Sequence, residues 1–376
     1  MSDPRPADDA GDDAAPLVVV LVPTTETADP SLEYYHDYSQ SHQEFARAFG
    51  VLGLPWRWQP VTTATCRPVL DALAAEPGTA RPVVFNLCDG DDSNDVPGLG
   101  VIHHLDALGL AYTGADATFY RDTTSKIDMK RAFEAAGVAT PPWARIGEEG
   151  GDPGEVLSRL GPPVIVKPAI SAGSMGIGLR SVVADAGALR EQARRLQGGY
   201  RGWNLASGGV LAERFIAGRE FTTFIVGSSA DPSGARIYPP VERDFHPALP
   251  PHERFLSYDR LWEVHDDEPP VAGGESLWEY APVPAGLAAE IEALSWRAYA
   301  AVGGRGYGRV DLRLDQETGE LFVLEVNAQC GLSEDENYTS IGAILRLAGA
   351  TFPGLVAEIL AGAGAHRPSP GRSPRS

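Results

Sequence analysis

Cysteine is scarce in this chain of 376 residues. Cys66, Cys88 and Cys330 are too few and too scattered for a disulfide framework or a zinc site. Long apolar runs are missing as well: none approaches membrane-spanning length, and no basic-then-apolar leader opens the sequence. Positive charge is in short supply, with 31 Lys and Arg against 51 Asp and Glu and a net charge of −20. That balance argues against nucleic acid or membrane as a partner, while a nucleotide can still be held by a few local cations. The histidines give no metal pattern. His103-His104 falls in a helical stretch, and His246, His252 and His265 are irregularly spaced in a polar loop. Cys88 has no identifiable base beside it, which favours a buried small residue over a nucleophile. The expected compartment is the cytoplasm.

What is present reads as a large globular protein. Hydrophobic residues at 43% and charged residues at 22% are ordinary globular values, and the length suits two or three domains. Residues 1–15 are acidic and rich in Pro and Ala, a disordered leader; residues 365–376, rich in Pro, Ser and Arg, read as a disordered tail. Between them, strands over 17–22 and 82–87 alternate with helices over 39–52 and 101–108, which predicts a parallel α/β domain over 16–114. A middle section over 115–208 holds a helix over 123–136, a strand ending in Lys167, a loop of small residues and a helix over 184–197. A last section over 209–364 holds further strands, an irregular stretch over 239–274, a helix over 285–302, a hairpin and two closing helices.

The hairpin carries the sharpest signal. Gly308-Arg309-Val310-Asp311 and Leu324-Glu325-Val326-Asn327 are strand-like, with polar residues two apart, so that they share a face. A turn over Glu317-Thr318-Gly319 sets Asp311 opposite Glu325 and Arg309 opposite Asn327. Facing carboxylates repel unless a hard cation lies between them, and Mg²⁺ takes carboxylate and amide oxygens together with phosphates. A solvated sheet face is the blander reading, weakened by the alternation of Val310, Leu312, Leu324 and Val326. Upstream, Pro163-Val164-Ile165-Val166-Lys167 is a buried strand ending in a lysine. It runs into Ser171-Ala172-Gly173-Ser174-Met175-Gly176-Ile177-Gly178, whose small residues let backbone N–H groups approach phosphate. Glu213 and Glu220 follow on strand-like segments, where either could equally be a surface residue.

In this order the motifs resemble the ATP-grasp superfamily, and within it D-alanine–D-alanine ligase and its relatives. Gly109-Leu110-Ala111-Tyr112-Thr113-Gly114, Ser125-Lys126-Ile127-Asp128-Met129-Lys130 and Phe255-Leu256-Ser257-Tyr258 extend the match over residues 17–360. The resemblance implies an α/β ATP-grasp fold: an N-terminal parallel α/β domain, a central lid subdomain and a C-terminal metal-binding subdomain. It implies ATP and two Mg²⁺, with Mn²⁺ able to substitute. By analogy Lys126, Lys167 and the loop Ser174-Met175-Gly176 would contact phosphates. Glu213, Phe215 and Ile216 would meet adenine, and Glu220 the ribose. Asp311, Glu325 and Asn327 would bind the metals, and Arg309 with the N–H of Gly331 would stabilise the transferring phosphoryl group and the tetrahedral intermediate.

The substrate side departs from the family pattern. The family's Gly-Gly-x-Ser-x-Glu entry is replaced by a segment containing Glu33 and Asp37, and its histidine after the second strand by Asp89. A lysine expected in the mobile loop aligns with Leu261, beside Trp262 and near Tyr258, and an acceptor-binding serine aligns with Glu336. These six positions, Glu33, Asp37, Asp89, Tyr258, Trp262 and Glu336, are the candidate substrate contacts. The expected activity is an ADP-forming ligase that joins amino acids or short peptides through an acyl phosphate, in specialised metabolism. A D-alanine–D-alanine ligase of cell-wall synthesis is the alternative, and a non-catalytic nucleotide-binding regulator is the alternative of another class. The partners expected are small molecules, with a homodimer as one allowed assembly.

Overall fold

Val18–Pro23 (β1), Trp56–Val61 (β2), Val83–Asn86 (β3) and Ala111–Tyr112 (β4) form a parallel sheet in the order β2-β1-β3-β4. The computed structural model describes residues 15–25, 37–76, 81–147, 151–262, 268 and 276–363. Residues 1–14 of the expected leader, the whole expected tail and Glu33 lie outside the described residues. Every residue of β1 is buried, as a strand covered on both faces requires. Val18, Val20 and Val22 pack with Phe45 and Phe49 of Ser39–Leu52 (α1). Val19 and Leu21 face the other way, onto Leu70 of Thr63–Ala74 (α2) and Ile102 of Leu99–Leu108 (α3). The sequence reading does not anticipate β2 and α2. β2 is a half-exposed edge strand containing Pro60, and α2 starts from a Thr62–Thr65 capping box and carries Pro68 inside.

Two helices, Ala117–Thr124 (α4) and Lys126–Ala135 (α5), replace the single helix expected over 123–136. Ser125 breaks the run: its backbone is extended and bridges Ile170, and its hydroxyl accepts the Asp128 N–H at 3.3 Å. Next come Trp143–Ile146 (β5), Pro153–Leu160 (α6), Val164–Pro168 (β6), Val182–Val183 (β7), Ala186–Gln197 (α7) and Val210–Arg214 (β8). The four strands make an antiparallel sheet in the order β5-β8-β6-β7, packed on α6 and α7. β8 starts after the boundary expected at 208, yet it pairs with β5 and β6, so it belongs with the middle section.

The third sheet comprises Gly218–Ser228 (β9), Asp231–Ile237 (β10), Val241–Phe245 (β11), Trp278–Pro282 (β12), Tyr307–Asp315 (β13) and Leu321–Ala328 (β14). Its order is β12-β11-β9-β13-β14, with β10 on β9. Ala285–Ala301 (α8) packs on one face against Val310, Leu312, Val323 and Val326. Ser340–Ala348 (α9) and Phe352–Gly362 (α10) pack on the other, against Phe224 and Val226, and also reach Phe45 and Phe85 of the first domain. Within the stretch expected to be irregular, β11 and a single turn at Tyr258–Leu261 are ordered elements, while residues 263–267 and 269–275 lie outside the described residues. Among the described residues no single helix is long and apolar enough to cross a membrane.

Candidate active site

The hairpin β13–β14 has the register expected where it matters. Asp311 stands opposite Glu325 and Arg309 opposite Asn327. Nearer the turn the pairing differs from the expectation by one residue, with Leu314 opposite Leu321, and a bulge at Leu324 absorbs the slip. Leu324 therefore leaves the apolar row and lines a cavity, and Val323 takes the core position instead. Gly319, at φ 70°, supplies the left-handed residue of the turn. On the polar face the Arg309 guanidinium donates to both Asp311 oxygens, with Nε–Oδ1 at 3.0 Å and Nη2–Oδ2 at 2.9 Å. Thr222 Oγ1 donates to Asp311 at 2.7 Å. The Asn327 amide donates to Asp311 at 2.9 Å and to Glu325 at 3.2 Å, standing between the carboxylates where a cation would stand. Among the described residues no three His, Cys, Asp or Glu side chains form a metal-holding group. This site offers two carboxylates and an amide, a set that suits a hard cation whose remaining ligands are phosphate oxygens and water.

One strand across, the same alternation builds a second charged cluster. Glu220 on β9 faces Arg313 of β13 on one side and Arg243 of β11 on the other. Its carboxylate accepts Nε and Nη2 of Arg313 at 3.0 and 2.7 Å, and a guanidinium hydrogen bond from Arg243. Burial raises the Glu220 carboxyl, and the two guanidinium charges outweigh it, so the net shift is downward. Neither arginine is among the sequence candidates, although Arg313 continues the Arg309–Asp311 alternation and could have been read from it.

A buried lysine cluster faces the hairpin. Glu213 on β8 is 1% exposed and pairs through one oxygen with Lys167 and through the other with Lys130, at 2.6 Å. Lys130 also donates to Thr140 Oγ1 at 2.9 Å. Lys126, one turn earlier on α5, donates to the Ser171 carbonyl at 2.9 Å and lies 3.9 Å from Glu325. Burial lowers both Lys126 and Lys130. It also pushes Glu213 upward, and the lysine charges more than reverse this, holding its carboxyl at about 2. Lys130 is missed by the sequence reading, although its spacing of four from Lys126 puts both on one helix face.

These elements enclose a cavity of about 610 Å³. Lys126, Lys167, Glu213, Phe215, Ile216 and Glu220 line it, as do Arg309, Asp311, Glu325, Asn327 and Gly331. Of the small-residue loop, Ser171 to Ser174 face the cavity; Ser174 is at φ 60° and its hydroxyl donates to the Leu256 carbonyl at 3.0 Å. The other two loop candidates do not line the cavity. Met175 is 1% exposed within the middle-domain core, and a side chain at Gly176 would run into Leu205.

The substrate candidates divide. Asp89, Trp262 and Glu336 line the cavity, and Trp262 donates its indole N–H to the Gly173 carbonyl at 2.9 Å. Asp37 does not: it is exposed and accepts the Ser39 N–H at 2.9 Å at the start of α1. Tyr258 is withdrawn too, 2% exposed in the middle-domain core with its ring edge-on to Tyr200. Glu336 pairs with Arg346 at 2.7 Å. Gln329 was not foreseen. Its buried amide accepts the Ala115 N–H at 2.8 Å and donates to the Asn86 carbonyl at 2.5 Å, tying the segment after Asn327 to the first domain. Cys88 and Cys330 are buried thiols; desolvation pushes Cys330 up to about 12 and Cys88 well above its usual range, so neither is a thiolate nucleophile.

The family model described as "D-ala D-ala ligase C-terminus" matches residues 132–361, from α5 to α10. The chain belongs to the D-alanine–D-alanine ligase family. Accordingly, it is an ATP-dependent, ADP-forming carboxylate–amine ligase of the ATP-grasp type. Among curated members, it is 29% identical over 359 residues to a D-alanine–D-alanine ligase of Xanthomonas axonopodis pv. citri, covering 90% of this chain and 98% of that protein. It is 30% identical over 263 residues to the enzyme of Ralstonia pickettii, covering 69% of each. The fold agrees with the crystal structure of a Bacillus anthracis D-alanine–D-alanine ligase complexed with ATP, at TM-score 0.65 and 18% identity, over 94% of this chain and 99% of that one. The ligase fold thus follows the expected order of an N-terminal parallel α/β domain, a central subdomain and a C-terminal subdomain, and the structure shows that the last two are built on antiparallel sheets.

Proposed function

We propose that this ligase joins the carboxylate of one amino acid to the amine of another, and that D-alanine is the first candidate for both. The naming of curated relatives as D-alanine–D-alanine ligases supports that choice, more than it supports the specialised-metabolism setting expected from the sequence. The observation that carries the chemistry is the facing of the Arg309–Asp311–Glu325–Asn327 hairpin and the Lys126–Lys167 cluster across one cavity. Such a reaction needs no protein nucleophile. A carboxylate oxygen of the first amino acid attacks the γ-phosphorus of ATP, a substrate here, and ADP leaves. The amine of the second then attacks the acyl carbon, loses a proton and expels phosphate. Positioning and electrostatic stabilisation carry both steps.

Lys126 and Lys167 would hold phosphate oxygens, the backbone of Gly173 and Ser174 would approach them, and Phe215 and Ile216 would flank adenine. Glu213 would keep Lys167 and Lys130 in place, in addition to the adenine contact expected of it, and Glu220 would meet the ribose from between its two arginines. Asp311, Glu325 and Asn327 would hold Mg²⁺, which when bound neutralises phosphate charge. Arg309 would meet the charge that grows on the transferring phosphoryl group, with the Gly331 N–H beside it. Trp262 and Glu336 would border the amino-acid region. A second reading, a different acceptor, is favoured by one observation: Leu261 lines the cavity where a cation would suit an acceptor carboxylate. ADP release measured with D-alanine alone, and then with pairs drawn from all amino acids, tests the reading. Turnover with D-alanine supports it, turnover only with another pair favours the second reading, and no amino-acid-dependent ADP release would sink both.

A further inference from the structure

Four carboxylates line the cavity apart from the hairpin and the two buried clusters: Asp89, Asp91, Asp335 and Glu336. Three of them are engaged within the protein. Asp91 accepts the N–H and O–H of Ser93 at 2.9 and 2.8 Å and the Asn94 amide at 2.7 Å. Asp335 accepts the Asn337 N–H at 2.9 Å and the Gln40 amide at 3.2 Å. Glu336 is paired with Arg346. Asp89 differs: among the described residues it has no ion pair and no hydrogen bond beyond its own N–H.

Its placement is fixed all the same. The Asn86 side chain accepts the Cys88 N–H at 3.1 Å, and the Tyr120 hydroxyl donates to the Gly90 carbonyl at 2.7 Å, so the turn after β3 is held on both sides of Asp89. The carboxylate is open to water inside the cavity, yet enough protein surrounds it for desolvation to push its carboxyl up to about 6. Its field reaches Cys330, which also feels Arg309 and Asp311. A fixed carboxylate without a counter-ion, facing a ligand cavity near the hairpin, calls for a cation brought by the ligand. In an α-amino acid one carbon separates the ammonium from the carboxylate, so a carboxylate activated beside Arg309 brings an ammonium with it.

We infer that Asp89 is a specificity-determining residue that provides the counter-charge for the α-ammonium of the amino acid whose carboxylate is activated. The inference rests on the ligase reading above and narrows it to substrates with a free α-ammonium on the activated partner. Trapping the acyl phosphate with hydroxylamine, which attacks the acyl carbon to give a hydroxamate and phosphate, isolates that half of the reaction. In this assay Asp89→Asn is expected to raise KM for the activated amino acid roughly 10- to 100-fold, the scale of one lost hydrogen bond between charged groups, with KM for ATP unchanged. The discrimination between alanine and propionate should shrink by the same factor, and Asp89→Glu should recover part of both. The substrate-free Asp89→Asn protein should melt no lower than the parent, which separates lost recognition from damaged folding. An unchanged KM and unchanged discrimination in Asp89→Asn would overturn the inference while leaving the ligase reading intact. Absence of hydroxamate from the parent enzyme with every amino acid would overturn both.

Discussion

Glu213 is the residue on which the lysine side of the site depends. It is buried between Lys130 and Lys167, and replacing it with Gln leaves two buried ammonium groups without their counter-charge. Breaking a buried ion cluster in this way costs about 3–5 kcal/mol, which denaturant unfolding of Glu213→Gln at neutral pH should show as a lower midpoint. The sign with pH follows from the depressed carboxyl. Folding lowers Glu213 from its ordinary 4.5 to about 2, so its contribution is complete above 4.5 and is lost as pH falls from 4.5 toward 2. The parent should lose stability in that window more steeply than Glu213→Gln. On the opposite wall, Asp311 and Glu325 differ in the same test. Asp311 already accepts Arg309, Thr222 and Asn327, whereas among the described residues Glu325 meets Asn327 and a distant Lys126. Relief of carboxylate repulsion therefore leaves Glu325→Gln close to the parent in stability, and Asp311→Asn below it. As proposed Mg²⁺ ligands, both should lose about 3 kcal/mol of barrier stabilisation, roughly a hundredfold in turnover at saturating Mg²⁺. Near-normal turnover in both variants would remove the metal assignment.

At the scale of elements, the site half of the hairpin was legible because a two-residue period fixes which side chains share a face. The bulge at Leu324 was not, since an extra residue in one strand leaves that period unbroken locally and is decided by how the turn closes at Gly319. The break at Ser125 and the engagement of Glu220 by Arg243 escaped for a related reason. A cap reads as an ordinary polar residue, and partners on strands 23 residues apart meet only once the sheet order is known. Met175, Asp37 and Tyr258 do not line the cavity, which a motif does not reveal because it gives sequence proximity without saying which side chains turn inward. The segment 329–331 shows what such long-range ties do. Gln329 holds it to Asn86 and Ala115, and Gln329→Ala leaves a buried carbonyl and a buried N–H unmatched, at about 1–3 kcal/mol. Chemical denaturation should register that loss. Turnover should fall with it, since the segment that carries Gly331 loses the bonds of Gln329 to Asn86 and Ala115.

At the scale of the whole molecule, three sheets converge on one cavity, and the two walls make different predictions for catalysis. Lys167 belongs to the small antiparallel sheet and meets phosphate in ground and transition states alike, so Lys167→Ala should mainly raise KM for ATP. Arg309 belongs to the large sheet and meets charge that develops during transfer, so Arg309→Ala should mainly lower kcat. Equal losses of nucleotide affinity in the two variants would contradict this division. The activation of a carboxylate by phosphorylation is the claim on which both walls agree, and isotope transfer tests it most directly. With the activated amino acid labelled with ¹⁸O in its carboxylate, mass spectrometry of the released phosphate should find one ¹⁸O per turnover and the other in the amide product. Amino-acid-dependent ADP release that leaves the phosphate unlabelled would contradict an acyl phosphate, and with it the ligase mechanism assigned to this cavity.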